Sequence, residues 1–177
     1  MKRIISDFKK YHLRQLLSYV FVTAFSAAAL ALTGLYQNEK MRWQAIAITA
    51  FLIGITLLLY INVLFIAPAR FKKEFAAMND NEKLAKEYQS SKTDCGHHYT
   101  KNYLVFYRKL RIYAVKYTDI LGIEGGTKNL FFEINGYTKT IVMPFDYAGP
   151  NAVAMAYIKN KNPKVKIICD RTVKDAD

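Results

Sequence analysis

Two long apolar runs dominate the first third of the chain. Leu16–Tyr36 reads LLSYVFVTAFSAAALALTGLY and residues 45–67 read AIAITAFLIGITLLLYINVLFIA, and neither run contains a charge. As helices they would be about 31 and 34 Å long, against a hydrocarbon core of about 30 Å. Neither shows the polar stripe of a helix packed on a soluble core. The pattern predicts two membrane-spanning helices, at about 16–36 and 45–67, joined by a short loop at 37–44. Tyr36 and Trp43 flank that loop and Tyr19 sits near the other end, where interfacial aromatics belong.

The pattern changes after Pro68. In ARFKKEFAAM, Phe71, Phe75 and Met78 fall at i, i+4 and i+7, with Arg70, Lys72 and Lys73 between them. This spacing predicts an amphipathic juxtamembrane helix whose apolar side chains enter the bilayer surface while its cations meet headgroups. Asn79-Asp80-Asn81 supplies turn and cap chemistry, EKLAKEYQ restarts a helix, and residues 90–94 read as a linker. The connector is thus assigned to 68–95.

From about His97 the residues are those of strands. YLVFY (103–107), RIYAVKYTDILGIE (111–124), NLFFEI (129–134) and TKTIVM (138–143) are rich in β-branched and aromatic side chains. Leu130, Phe132 and Ile134 alternate onto one face, as do Ile141 and Met143. Asn135-Gly136 is a strong hairpin signal. Pro150 then starts a helix containing AVAMAYI (152–158), Pro163 lies just past its end, and KVKIIC (164–169) makes a last strand. The prediction is five or six strands in all, arranged as an antiparallel meander, one helix and a final strand: a small α+β domain at 96–170, followed by a polar tail at 171–177. A domain of this size buries only about 60% of its unfolded surface, so support from the connector, the membrane or a second copy is expected.

Composition sharpens this division. The chain of 177 residues is 52% hydrophobic and 23% charged, but residues 16–67 carry only Glu39, Lys40 and Arg42. Such sorting is foreign to a conventional soluble enzyme. Five basic residues precede the first run (Lys2, Arg3, Lys9, Lys10, Arg14) and Arg70, Lys72 and Lys73 follow the second, while the loop holds Lys40 and Arg42. The eight-to-two bias places both termini, including the basic stretch 1–15, in the cytoplasm. A cleavable signal peptide ending near Ala29-Leu30-Ala31 is the competing reading of the first run. Ala24/Ala28, Ala27/Ala31 and Ala50/Gly54 have the small-residue spacing of close helix packing, within the hairpin or in a homodimer. Asn62 is the one strongly polar residue inside a span, and is expected to bond the partner helix.

The stretch YLVFYRKLRIYAVKYTDILGIEG, with its Tyr117, Asp119 and Ile120, resembles that of bacterial two-helix membrane proteins carrying a pleckstrin-homology-like domain. The resemblance covers roughly residues 99–169. It implies a seven-stranded fold, and therefore more strands than the pattern supplies. By position and charge it also implies that Arg108, Lys109 and Arg111, at a hairpin tip, grip anionic headgroups. Several fixed cations at one rim attract phosphate, which arginine can bind in bidentate fashion. The bland alternative is a solvated turn that protects a sheet edge.

Other constellations carry less. Asp94-Cys95-Gly96-His97-His98, with distant Cys169, has metal-ligand residue types but not metal-ligand spacing, so no metal and no cofactor are expected. Aromatics interleave with Lys and Arg around residues 99–117, but alternating strands produce that pattern without a nucleic-acid partner. No nucleophile elbow, phosphate-binding glycine loop or metalloprotease motif is present, so catalysis is not expected. The function these residues suggest is the display of a small binding or scaffolding domain at a membrane. The alternative is an accessory subunit of a transport or export complex that works through its helices.

Overall fold

The computed structural model describes residues 1–36, 39–94, 96–126, 128–145 and 150–170. It divides into two compact units, Met1–Glu74 and Phe75–Asp177. The expected outer loop at Gln37-Asn38, Cys95 and the polar tail lie outside the described residues.

The first unit is helical. Helix α1 (Lys2–Tyr36) is continuous over 35 residues, about 52 Å, so the basic N-terminal stretch is part of a helix rather than a tail before one. Its sequence signal is an i, i+4 stripe of Ile4, Phe8, His12 and Leu16, all buried. Helix α2 (Glu39–Ile61) packs on α1, and residues 39–44 are therefore helical rather than loop. A π-helical turn (Asn62–Ile66) follows, in which the Ala67 amide reaches back to the Asn62 carbonyl, and α3 (Ala67–Ala76) continues from it. Pro68 accounts for the wide turn: it has no amide to offer, and its ring would crowd the carbonyl four residues earlier in an ordinary helix. Ile46–Ala76 is a helical stretch long and apolar enough to cross a membrane.

The hairpin seam differs from expectation. Thr56 donates to the Leu52 carbonyl (2.9 Å), so the Thr23 hydroxyl, 3.3 Å away, is left to donate across the helices to Thr56. Asn62 is half-buried and makes no such bond among the described residues. Ala24, Ala28 and Ala50 face outward, and a Cβ on Gly54 would meet nothing within 4 Å. Ala27 is half-buried, and the side chain of Ala31 lies outside the description.

The second unit contains two four-stranded sheets. Helix α4 (Asn81–Gln89) precedes β1 (Lys92–Asp94), β2 (His97–Tyr99), β3 (Tyr103–Arg108) and β4 (Arg111–Lys116), which form an antiparallel sheet in that order. The stretch 90–94, expected as a linker, thus contributes an edge strand. The long run 111–124 is broken by a 3₁₀ turn (Tyr117–Asp119), where the chain passes from one sheet to the other. Then β5 (Ile120–Gly125), β6 (Asn129–Ile134) and β7 (Ile141–Pro144) pair antiparallel. Helix α5 (Pro150–Lys161) follows, and β8 (Lys166–Asp170) returns beside β5 in parallel, giving the order β7-β6-β5-β8. Among the described residues the strands number eight rather than five or six, since short β1 and β2 and the sheet switch leave no mark in the alternation.

One core joins the sheets to α5. Leu104, Phe106, Ile123, Leu130, Phe132, Met143 and Ile158 are fully buried within it. The predicted alternations hold: Leu130, Phe132 and Ile134 point inward, as do Ile141 and Met143. Strand β3 is buried on both faces, since α4 covers the side opposite the core.

Candidate functional site

The hairpin between β3 and β4 is closed by a two-residue turn, Lys109-Leu110, with Arg108 and Arg111 directly opposite one another. Lys109 and Leu110 have φ of 45° and 57°. Left-handed backbone is the natural geometry of such a turn, but Asn-Gly usually supplies it. Here an unbranched Lys and a bulkier Leu adopt it at a cost of roughly 1–2 kcal/mol per residue. The paired arginines add a second penalty, because like charges opposite one another across two strands repel. Two unfavourable features therefore coincide at one tip.

The arginines lie on the sheet face that bears Phe106 and Tyr113. The Arg111 guanidinium sits 5.3 Å from the centre of the Tyr113 ring. Tyr113 stacks on Phe106 (5.1 Å, 12°), Phe106 on His97 (6.3 Å), and His97 on Phe145 (4.9 Å, 3°). A column of four rings thus backs the basic tip. The Arg111 Nε is itself buried, so a phosphate or carboxylate at this tip would meet the guanidinium through its terminal nitrogens. Lys109 is exposed at the apex, whereas Leu110 is half-buried rather than projecting.

The expected membrane-surface residues separate into two groups. Arg70, Lys72 and Lys73 are exposed, but Phe71 and Phe75 are 3% and 7% exposed and Met78 is half-buried. The two rings are taken up by the chain's own packing, in step with buried Val63 and Ala67, and are not offered to a bilayer.

Three polar clusters leave no mark in the sequence pattern because they join distant residues. The Glu87 carboxylate on α4 accepts from the Thr100 hydroxyl (3.0 Å), the Asn102 amide (2.8 Å) and the Asn102 side chain, pinning the β2–β3 turn. At the other end of α4, Asp80 accepts from Lys116 (2.9 Å) and the Tyr103 hydroxyl (3.1 Å). The bond from Lys116 is the main reason the Asp80 carboxyl is held below its usual range. Burial first, then Asp80, pushes the Tyr103 phenol up to about 12. Between them the Tyr88 hydroxyl lies 2.9 Å from His98 Nε2 and 2.7 Å from the Tyr107 hydroxyl, while His98 Nδ1 is 3.2 Å from Thr93 Oγ1. His98 thus faces α4 and His97 faces the ring column, on opposite sides of β2. No cluster of three metal-ligating side chains occurs among the described residues.

No protein-family model matches the chain, and neither a curated protein nor a solved structure does so.

Proposed function

We propose that this chain is a two-span integral membrane protein that holds a small cytoplasmic β-rich domain at the bilayer for binding or scaffolding, without catalysis. The observation that carries the reading is the outward display of large apolar side chains along the hairpin: Phe25 is 79% exposed, Phe21 68%, Phe51 67% and Leu58 66%. Water penalises such a surface, at about 25 cal/mol per Å², whereas lipid does not. The eight-to-two division of basic residues supports cytoplasmic termini. Impermeant thiol labelling of Cys95 and Cys169 in intact cells tests the topology: protection until lysis is expected, and labelling of either before lysis overturns it.

In this reading the domain is pleckstrin-homology-like, supported by four antiparallel strands, three more, and then a helix. The parallel β8 departs from that plan. Its contact with anionic headgroups is through Arg108, Lys109 and Arg111, where a bound anion offsets the repulsion between paired arginines. The full chain in vesicles should recruit no extra anionic lipid once these three are changed to Ser. Unaltered lipid recruitment in the triple variant removes the headgroup role.

A second reading, accessory work through the helices, is favoured by the π-helical turn that begins at Asn62, since such turns recur at functional positions. Asn62→Leu should then abolish the partner's activity while the domain stays folded.

A further inference from the structure

Away from the hairpin tip, a cleft of about 660 Å³ opens at the corner between α5 and β8. The corner is built around Asn162, which is buried. Its side-chain amide donates to the carbonyls of Tyr117 and Ile120, both at 2.9 Å, and its oxygen accepts from the Lys164 amide at 3.2 Å. A buried amide satisfied in this way is a rigid anchor. It fixes the short stretch of backbone from which Lys161, Lys164 and Lys166 reach the cleft with exposed side chains. Lys161 is further oriented over the Tyr157 ring, at 5.5 Å.

One carboxylate, Glu133, also lines this space. Strand pairing places Glu133 and Lys166 on either side of Gly122, across β6, β5 and β8. Gly122 has no side chain to occupy the interval between them. Next to it, Leu121 is the extra residue of a β-bulge and is 47% exposed at the cleft. Bulges re-aim side chains in this manner, and they are common beside binding sites.

We propose that the cleft is a second anion site, for a phosphate-bearing ligand with an apolar portion. Three lysines against one carboxylate supply the charge complement of a phosphate, and Leu121 supplies the apolar contact. The charge arithmetic makes Glu133 a brake: it lowers affinity for an anion that the lysines attract.

The full chain in phosphatidylcholine nanodiscs, titrated calorimetrically with dihexanoyl phosphatidic acid and separately with inorganic phosphate, tests this, with empty discs subtracted. The short-chain lipid should bind more tightly than inorganic phosphate. Lys164→Ser with Lys166→Ser should weaken it by roughly fivefold for each lysine lost, and Glu133→Gln should tighten it by a similar factor. Arg108→Ser with Arg111→Ser removes the hairpin-tip contribution and should leave the lysine-dependent binding at the cleft in place. Equal binding of the two probes, unaltered affinity in the lysine variant, or loss of binding in the arginine variant would each overturn the proposal. The last outcome would return the site to the hairpin tip.

Discussion

The two units treat the same kind of side chain in opposite ways. In the β-rich unit Phe106 and Phe132 are wholly buried, while in the helical unit Phe21, Phe25 and Phe51 stand mostly exposed. The same aromatic side chain is core in one unit and surface in the other. The contrast continues within α1, whose first four turns bury Ile4, Phe8 and Leu16 before the exposed stretch begins. The lesson is that burial of apolar side chains is not uniform even within one helix. The base of the hairpin hides its apolar side chains, and the remainder displays them.

Core substitution is the most severe way to break this comparison. Phe132→Ala should cost the domain about 3–5 kcal/mol, while Phe25→Ala should change the stability of the full chain in micelles by less than about 0.5 kcal/mol. Thermal unfolding followed by near-ultraviolet circular dichroism measures both. Equal losses would mean that Phe25 packs on something in the native state and would erase the contrast. Next in size is Glu87→Ala, which strips three donors of their acceptor at the β2–β3 turn. Its expected cost is about 1–3 kcal/mol, visible as faster proteolysis at residues 100–102.

The fastening of α4 should also respond to pH at both extremes. Tyr103, raised to about 12, favours the folded state while neutral, so its contribution is complete below pH 10 and is lost as pH rises from 10 to 12. Asp80, depressed, contributes above the ordinary carboxylate range and loses that contribution as pH falls through its lowered value. Tyr103→Phe should make the alkaline limb shallower in a denaturant titration and, by removing one of the two donors to Asp80, reduce the acid limb without abolishing it. The smallest effect concerns the helices: Thr56→Val should weaken the hairpin by about 0.6 kcal/mol, because membrane hydrogen bonds return little over their alternatives. A much larger loss would show that the seam depends on this pair rather than on apolar packing.

Much of the architecture was legible because periodicity is local. The apolar runs, the alternation of Leu130, Phe132 and Ile134, and the helix that follows Pro150 all announce themselves within a dozen residues. What stayed hidden was either diluted or distant. Lys9, Lys10 and Arg14 interrupt the Ile4–Leu16 stripe and, with Lys2 and Arg3 ahead of it, make a helix look like a charged tail. Lys92-Thr93-Asp94 has little strand propensity, and only its pairing with β2 makes it a strand. The stretch Arg111–Glu124 carries one unbroken β pattern although its chain changes sheets midway. At the hairpin tip the two-residue turn could be read from Arg108-Lys109-Leu110-Arg111. The ring column behind it could not, since Tyr113, Phe106, His97 and Phe145 meet only through the fold. Glu87 and Asp80 were invisible as fasteners for the same reason.

The wide turn at Asn62–Ile66 has a consequence for phase. A π-turn holds one residue more than an α-turn, so everything after it is carried round the helix axis by about 100° relative to a regular helix. The face that α2 presents is therefore not the face that α3 continues. Restoring ordinary pitch across 62–66 with every residue kept, as Pro68→Ala permits, would change the length of the rod by no more than about 1.5 Å. It would nonetheless swing Phe71 out of its buried position and bring a neighbouring lysine towards it. In this segment angular register, rather than length, decides which side chains meet water.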